Sequence, residues 1–292
     1  EAGCHLCSAR LVVHRSDRTL RCHHCGHVEP LPRACPGCGN VDLLPLGHGT
    51  QRLEAALSAR FPSARILRVD RDSTRAKGAF ATMRDSVHAG DVDILVGTQM
   101  LAKGHDFPRL TLVGVLGADN ALYSADFRAT ERLAALLFQV SGRAGRAELP
   151  GEVIVQTDFP DHPLYRALAA HDFDAFAASL LAERQATGLP PFGYLALLVA
   201  EAHARAEVDA FLTAARAAGQ EAVQALSLTL DVYAPVAPGL ARRSGFERGQ
   251  VLVQAADRGA LQRFLPAWRR AIELIPGRRV RWSLDVDPAG FA

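Results

Sequence analysis

The sequence has 292 residues, of which 49% are hydrophobic, and its formal net charge is +2. This length and apolar content exclude a disordered tail and indicate two or three folded units with a sizeable core. No apolar run reaches the roughly 18 residues that a membrane span needs, and no basic-then-apolar signal peptide begins the chain. We therefore expect a cytoplasmic protein with no membrane partner.

Charge is distributed unevenly along the chain. The first 40 residues carry a net charge of +2, residues 241–292 carry +5, and the residues between them carry −5. Basic ends are typical of modules that contact nucleic-acid phosphates, and also of a solvated arginine-rich surface. Charge alone leaves both interpretations open.

The six cysteines all lie within the first 38 residues, as the C-x-x-C pairs Cys4/Cys7, Cys22/Cys25 and Cys35/Cys38. Each tight turn holds two thiolates on one side, and two turns complete the tetrahedral sulfur shell that Zn²⁺ prefers. We predict that the first two pairs bind one zinc ion, because disulfides are typical of secreted chains. Cys35 and Cys38 are two ligands short of a second site. Either an upstream pair or a neighbouring histidine such as His24 or His27 would complete it.

Short apolar runs alternate with amphipathic stretches between residues 41 and 160. The predicted strands are residues 41–46, 64–70, 93–97, 110–116 and 152–156, and the predicted helices are 51–60, 77–88 and 129–140. This alternation predicts an α/β domain whose parallel sheet carries helices on both faces. In such folds the chemistry lies in loops at the carboxyl ends of strands.

Two motifs occupy such loops. The first, residues 96–108, reads V-G-T-Q-M-L-A-K-G-H-D-F-P, and the second, residues 139–146, reads Q-V-S-G-R-A-G-R and ends a helix. Arg143 and Arg146 project from one face of that helix end and can clamp the phosphates of a nucleotide. The plainer alternative is a glycine-containing helix terminus with surface arginines.

Together, these motifs resemble motifs V and VI of superfamily 2 helicases, on the second RecA-like lobe. The cysteine-rich insertion and four further segments resemble the PriA family of replication-restart DNA helicases; the segments are G-H-G-T at 47–50, V-D-R-D-S-T at 69–74, S-A-D-F-R at 124–128 and P-D-H-P at 160–163. The resemblance covers nearly the whole chain. It implies the C-terminal part of an ATP-dependent 3′ to 5′ DNA helicase that acts in replication restart and primosome assembly at stalled or branched forks.

The resemblance also implies roles for individual residues. Those expected to act on ATP are Gln139, Arg143, Arg146, Gly104 and Asp106. Those expected to contact DNA are Thr98, Gln99 and Lys103, and Lys103 is expected to contact either DNA or the nucleotide. Arg146 is expected to be the arginine finger. Cys35 and Cys38 are expected to join an upstream pair, giving two interleaved zinc sites, with ATP and Mg²⁺ as substrate.

From about residue 158 we predict a long helix ending near residue 188, followed by a strand-helix-strand-strand-helix-strand series. The strands are residues 194–201, 228–233, 249–255 and 278–286, and the helices are 207–226 and 258–274. This order is the split βαβ, or ferredoxin-like, arrangement. It resembles the family's C-terminal domain, which implies binding to branched and single-stranded DNA, to the single-strand-binding protein and to other primosome proteins. We assign Arg242, Arg243 and Arg248 to the DNA- and partner-binding surface of this domain.

The expected domains are a zinc-binding module (1–40), a helicase lobe (41–160), a helical connector (161–191) and a DNA- and partner-binding domain (192–292). No G-x-x-x-x-G-K-[ST] loop or D-E-x-H strand occurs in these residues, so we expect no ATP hydrolysis by this chain alone. The chain starts at Glu1, and we expect the natural, nucleoid-associated protein to begin upstream. Two rival hypotheses are a non-catalytic zinc-dependent DNA-binding adaptor of the primosome and an unrelated zinc-ribbon binding module.

Overall fold

The computed structural model describes residues 3–291 except 8, 10, 15–16, 23–24, 42–48, 71–72, 75, 77, 100, 102–106, 108, 123, 125, 143–150 and 277–278. Contacts divide the chain into two compact units. One comprises residues 1–45, 125–128 and 180–292, and the other comprises 46–124 and 129–179. The cysteine-rich module and the C-terminal domain thus belong to one unit, and the finer division into four domains stays a prediction.

The cysteine-rich module is built on a small antiparallel sheet. Its strands are β1 (Val12–His14), β2 (Thr19–Arg21) and β3 (Val28–Pro30), in the order β1-β2-β3. Arg18 adopts a left-handed conformation, with φ of 54°, in the turn between β1 and β2. The Thr19 hydroxyl donates to the Asp17 carboxylate at 2.8 Å and fixes this turn. The sheet places the end of β2 next to the second cysteine pair.

The second unit alternates helices with parallel strands, which confirms the predicted α/β class. Its elements are α1 (Thr50–Arg60), β4 (Ile66–Val69), α2 (Ala79–Ala89), β5 (Ile94–Gly97), β6 (Leu112–Val115), a 3-10 turn (Ala118–Ala121), α3 (Ala129–Ser141) and β7 (Glu152–Val155). The described strands form two parallel pairs, β4 with β5 and β6 with β7. The predicted strand at 41–46 lies outside the described residues apart from Val41.

The predicted long helix before residue 188 is wrong, because two helices occupy that segment. These are α4 (Pro163–Ala170) and α5 (Phe173–Thr187). His171 interrupts the helix with a left-handed φ of 54°. The Asp172 carboxylate then accepts from the Ala175 N–H at 2.9 Å, which caps the start of α5. The sequence pattern had shown the apolar period but not this local break.

The C-terminal domain has the predicted ferredoxin-like topology. Its elements are β8 (Tyr194–Ala202), α6 (Arg205–Ala225), β9 (Asp231–Val232), β10 (Arg242–Arg243), β11 (Phe246–Ala255), α7 (Arg258–Glu273) and β12 (Arg281–Val286). The strands run antiparallel in the order β12-β8-β11, and β9 and β10 both pair with the outer edge of β11. The short strand β10 is an addition to the predicted pattern.

The core of this domain lies between the sheet and α6 and α7. Trp268 and Phe264 of α7 are fully buried there, with ring centroids 5.2 Å apart. The Trp268 indole N–H donates to the Ala215 carbonyl at 2.7 Å, so the largest core side chain leaves no polar group unsatisfied. Gly249 lets β11 approach α6, since a Cβ there would lie 2.6 Å from Leu212 Cδ1. In the described part of the chain, no helix has the length and apolarity of a membrane span.

Candidate functional site

The first two cysteine pairs converge in the cysteine-rich module. Cys7 Sγ lies 3.2 Å from Cys22 Sγ, and Cys4 Sγ lies 3.6 Å from Cys25 Sγ. All four sulfurs lie within 4.8 Å of one another. A tetrahedral shell with Zn–S bonds of about 2.3 Å needs sulfurs roughly 3.8 Å apart, so this arrangement fits zinc with small adjustments. The structure therefore brings together the four sulfurs that the sequence predicts as zinc ligands.

Backbone hydrogen bonds shape the turn that presents Cys22 and Cys25. The Cys22 N–H donates to the His27 carbonyl at 2.8 Å, and the Gly26 N–H donates to the Cys22 carbonyl at 2.9 Å. Gly26 has a φ of 79°, in the left-handed region that glycine adopts without strain. The turn is thus fixed by the chain itself, with both sulfurs on one side.

Three of the four cysteines are buried, and Cys25 is half-buried. Cys4, Cys7 and Cys22 are at most 3% exposed. Burial, together with the neighbouring Cys22 thiol, raises the pKa of Cys7 to about 12. A zinc ion supplies the positive charge that makes such buried thiolates stable, and its binding releases the thiol protons.

The third cysteine pair has the same backbone turn. The Cys35 N–H donates to the Asn40 carbonyl at 2.7 Å, the Gly39 N–H donates to the Cys35 carbonyl at 2.8 Å, and Gly39 has a φ of 73°. The backbone N–H groups of Gly37 and Cys38 lower the pKa of Cys35. This turn is therefore shaped like the zinc-binding turn at Cys22.

No complete metal shell surrounds the third pair among the residues with described positions. Neither Cys35 nor Cys38 belongs to a described group of three or more metal-ligating side chains. His27 lies instead beside Glu29, whose carboxylate is 3.0 Å from the His27 Nε2 atom, and His5 is in the same group. His24 lies outside the described residues. Completion of this site by an upstream pair stays a prediction.

The β10–β11 hairpin presents the predicted basic residues beside the zinc module. Ser244 and Gly245 form its two-residue turn with φ values of 51° and 83°. Arg243 is exposed, whereas Arg242 is half-buried and forms an ion pair with Glu247. The Gly245 N–H donates to the Leu6 carbonyl at 2.7 Å, in the turn between Cys4 and Cys7. The hairpin is thus in direct contact with the turn between Cys4 and Cys7.

Arg248 has a different setting from the other two assigned arginines. It is 9% exposed, and its Nη1 atom donates to the Leu240 carbonyl at 3.5 Å. Its own carbonyl accepts from the Arg205 guanidinium at 3.1 Å. The surface that faces solvent is therefore carried by Arg243 and by the exposed part of Arg242.

The first loop motif begins where the sequence placed it, at the carboxyl end of β5. Thr98 and Gln99 are exposed directly after this strand. Gly97 allows β5 to lie close to β4, because a Cβ on it would lie 2.6 Å from the Val69 carbonyl oxygen. Lys103, Gly104 and Asp106 lie outside the described residues, so their predicted roles are not placed by the structure.

Thr50 of the G-H-G-T segment and Asp70 of the V-D-R-D-S-T segment meet at the carboxyl end of β4. The Asp70 carboxylate, directly after β4, accepts from the Thr50 hydroxyl at 2.7 Å and from the Ser73 N–H at 2.9 Å, and pairs with Arg68. Burial alone would raise the pKa of Asp70, but these donors outweigh it and hold that pKa below its usual value. Asp70 thus joins the start of α1 to the loop after β4.

The second motif begins in the last turn of α3. Leu133 and Leu137 are buried, as their spacing predicts, while Gln139 is exposed. Arg143 and Arg146 lie outside the described residues. The structure therefore places only the first of the three residues that were expected to reach ATP.

Sequence reasoning missed a cluster around Asp119. This carboxylate follows β6 and accepts from the Thr157 hydroxyl at 2.6 Å, the Asp158 N–H at 2.8 Å and the Tyr165 hydroxyl at 2.8 Å. Burial and the bond to Asp119 raise the pKa of Tyr165 to about 12. The available signal was the position of Asp119 after a predicted strand, but its partners are 38 to 46 residues away in sequence.

The fold and site define a class of protein in which a zinc-ribbon-type metal module is followed in sequence by an α/β unit and by a ferredoxin-like domain with a basic hairpin. The family described as "PriA DNA helicase Cys-rich region (CRR) domain" matches residues 4–30, and "Primosomal protein N C-terminal domain" matches residues 185–289. The chain belongs to the PriA family.

Three relatives are each named "Replication restart protein PriA". The protein from Haemophilus influenzae is 42% identical over 288 residues, covering 98% of this chain and 39% of that protein. The proteins from Bacillus subtilis and Synechocystis are 38% and 39% identical, covering 98% of this chain and 35% and 34% of their own lengths. The chain thus spans between a third and two fifths of these relatives.

Proposed function

We propose that this chain supplies the zinc-binding, nucleotide-facing and DNA-binding parts of an ATP-dependent 3′ to 5′ DNA helicase that restarts replication. The observation that carries the proposal is the relation to replication restart proteins over 98% of the chain. The buried four-sulfur site and the ferredoxin-like domain in the same unit support it. The protein acts in the cytoplasm, at the nucleoid.

In this proposal the central unit completes a motor whose nucleotide-gripping lobe belongs to another part of the protein. Its exposed loops at parallel strand ends are where α/β proteins bind ligands, which supports roles for Thr98 and Gln99 on DNA. Gln139, Arg143 and Arg146 act on the γ-phosphate of ATP, and Mg²⁺ accompanies that substrate.

The C-terminal domain binds branched and single-stranded DNA, and with the zinc module it receives the single-strand-binding protein and other primosome proteins. The basic hairpin supports DNA binding, because Arg243 is exposed and its neighbour Arg242 is held in place by Glu247. The exposed Arg243 guanidinium presents a planar set of N–H donors that matches a phosphate.

The motor proposal is tested in the full-length protein with Arg146→Ala. ATP turnover should fall by about a thousandfold while DNA binding is retained, because an arginine finger stabilises only the transition state. Arg84→Ala, on the exposed surface of α2, is the matched control and should turn over ATP normally. Near-normal turnover by Arg146→Ala would reject the finger role. DNA binding by a full-length protein that never hydrolyses ATP would favour the non-catalytic adaptor instead.

The DNA proposal is tested on the zinc-loaded chain by fluorescence anisotropy with forked and single-stranded DNA. Arg243→Ala should weaken binding and reduce the slope of log affinity against log salt by about one. Arg269→Ala, an exposed arginine on α7 paired with Glu273, should leave both quantities unchanged. Equal affinities of wild type and Arg243→Ala would contradict the assignment.

A further inference from the structure

Three planar side chains meet at one end of the C-terminal sheet. The rings of His203 and Phe246 are stacked, with centroids 4.1 Å apart and an interplanar angle of 30°. The guanidinium carbon of Arg281 lies 4.6 Å from the centre of the same Phe246 ring. His203 and Arg281 are exposed, and Phe246 is half-buried. This arrangement is called the planar stack below.

Strand register brings the planar stack together. β11 pairs with β8 so that Glu247 lies opposite Ala202, which puts Phe246 beside His203. β12 pairs with β8 on its other edge, where Arg281 lies opposite Glu201. The stack therefore joins residues from the ends of three neighbouring strands.

The planar stack lies on the face of the sheet opposite the helices. Ala200 and Ala202 of β8 and Trp282 of β12 pack into the core beneath α6 and α7. Because side chains alternate along a strand, Glu201 and Arg281 point to the other face. Val251 of β11 also packs into the core, and the same alternation places Phe246, an odd number of positions away on that strand, on the opposite face. The helices thus leave this face of the planar stack uncovered.

Positive charge continues from the planar stack into the hairpin turn. Arg243 precedes Phe246 across the two-residue turn and is exposed. Within the described part of the chain, neither Arg243 nor Arg281 forms an ion pair. The Glu247 carboxylate is engaged by Arg242, and Glu201 lies opposite Arg281 on one side and Arg248 on the other. A phosphate is therefore best received on the hairpin side of the stack.

We propose that His203, Phe246 and Arg281 bind an unpaired base of single-stranded DNA whose phosphates contact Arg243, which lies opposite Phe246 in the β10–β11 hairpin. The proposal rests on the proposed DNA-binding function and adds to it the way in which a base is held. Imidazole, phenyl and guanidinium planes are the surfaces on which proteins stack bases, and such stacking tolerates any sequence. The sheet holds the three planar side chains in position before binding, so little conformational entropy is lost when a base stacks on them.

The planar stack also has a structural role, because it ties together three strand ends. The test must therefore distinguish base stacking from fold support. Arg281→Lys keeps the charge and removes the planar guanidinium, and His203→Gln keeps a polar side chain and removes the ring. Both side chains are exposed, so neither change opens a cavity in the core.

The experiment measures binding of the zinc-loaded chain to a short oligothymidylate and to the same backbone with abasic positions. On the intact oligonucleotide, Arg281→Lys, His203→Gln and Phe246→Ala should each bind about tenfold more weakly than wild type, with the same salt slope. On the abasic strand, wild type and variants should bind equally, because the lost partner is the base itself.

Three outcomes would overturn the inference. One is wild-type affinity of Arg281→Lys and His203→Gln on the intact strand. Another is an equal loss on intact and abasic strands, which would show that the planar stack only supports the fold. The third is a shallower salt slope in the variants, which would assign these residues to phosphate. If Arg243→Ala weakens binding while the stack variants do not, only the base-stacking inference fails. If the chain binds neither strand, the DNA proposal fails with it.

Discussion

The Nη1 atom of Arg242 donates a hydrogen bond to the carbonyl oxygen of His5, 2.9 Å away and 237 positions earlier in the sequence. The Gly245 N–H makes a second bond, to the neighbouring Leu6 carbonyl, at 2.7 Å. Both acceptors lie in the turn whose ends are Cys4 and Cys7. The conformation of that turn depends on the two sulfurs that zinc holds, so metal binding and the basic hairpin are mechanically connected.

Zinc removal should therefore loosen the β10–β11 hairpin. On addition of a chelator, amide hydrogen exchange measured by NMR should become faster at Gly245, whose N–H loses its acceptor. The amide of Val253, a fully buried residue of β11, should exchange at its original rate. Unchanged protection of Gly245 without zinc would show that the hairpin is held independently of the metal.

The contribution of Arg242 to this contact is separable from its charge. Arg242→Ala should speed amide exchange at Gly245 in the zinc-loaded chain, because it removes one of the two hydrogen bonds from the hairpin to the turn between Cys4 and Cys7. Arg243→Ala removes the same charge from an exposed neighbour and should leave that rate unchanged. The comparison of these two variants isolates the contact with His5.

The first metal site should depend on Cys22 and be independent of Cys38. Metal analysis should find at least one zinc per chain, and Cys22→Ala should lose about one zinc and unfold the cysteine-rich module. Circular dichroism and tryptophan fluorescence should show the C-terminal core intact, since Trp268 is buried far along the chain within its own domain. Cys38→Ala, at an exposed sulfur, is the control and should keep that ion. An equal zinc content in wild type and Cys22→Ala would defeat the assignment.

The sequence predicted most clearly the features with local signals. Cysteine spacing predicted the four-sulfur site, since a C-x-x-C turn places both sulfurs by itself. Apolar periods predicted the parallel strands and the ferredoxin-like order. They did not predict the break at His171, because the helix period continues through it and only the left-handed backbone and the Asp172 cap interrupt it.

Features that depend on distant pairings were outside the reach of sequence patterns. The charge pattern marked Arg242, Arg243 and Arg248 as one basic surface, yet Arg248 is covered, and its guanidinium donates to the Leu240 carbonyl. Likewise, Phe246 and Arg281 meet only through the register of β8 with its two neighbours. Strand register is set by the whole sheet, and no local motif encodes it.

Asp70→Asn should destabilise the second unit by about 2 kcal/mol at neutral pH, because the buried carboxylate accepts bonds from Thr50 and Ser73 and pairs with Arg68. The pKa of Asp70 is lowered in the folded state, so its stabilisation is present above the unfolded pKa of about 3.9. It is lost as pH falls through the folded pKa. Denaturant titrations at several pH values should show wild type and variant converging below about pH 4. A constant difference down to pH 2 would contradict the role of the charge.

The Asp119 cluster should show a graded and non-additive response. Tyr165→Phe removes one of three donors and should cost about 1 kcal/mol, since Thr157 and Asp158 still satisfy the carboxylate. Asp119→Ala should cost about 2 to 3 kcal/mol, because it leaves the buried Tyr165 hydroxyl without its acceptor. The double variant should then be little worse than Asp119→Ala alone, which a double-mutant cycle from denaturant titrations measures. Strictly additive losses would show that the Tyr165 hydroxyl and the Asp119 carboxylate stabilise this unit separately.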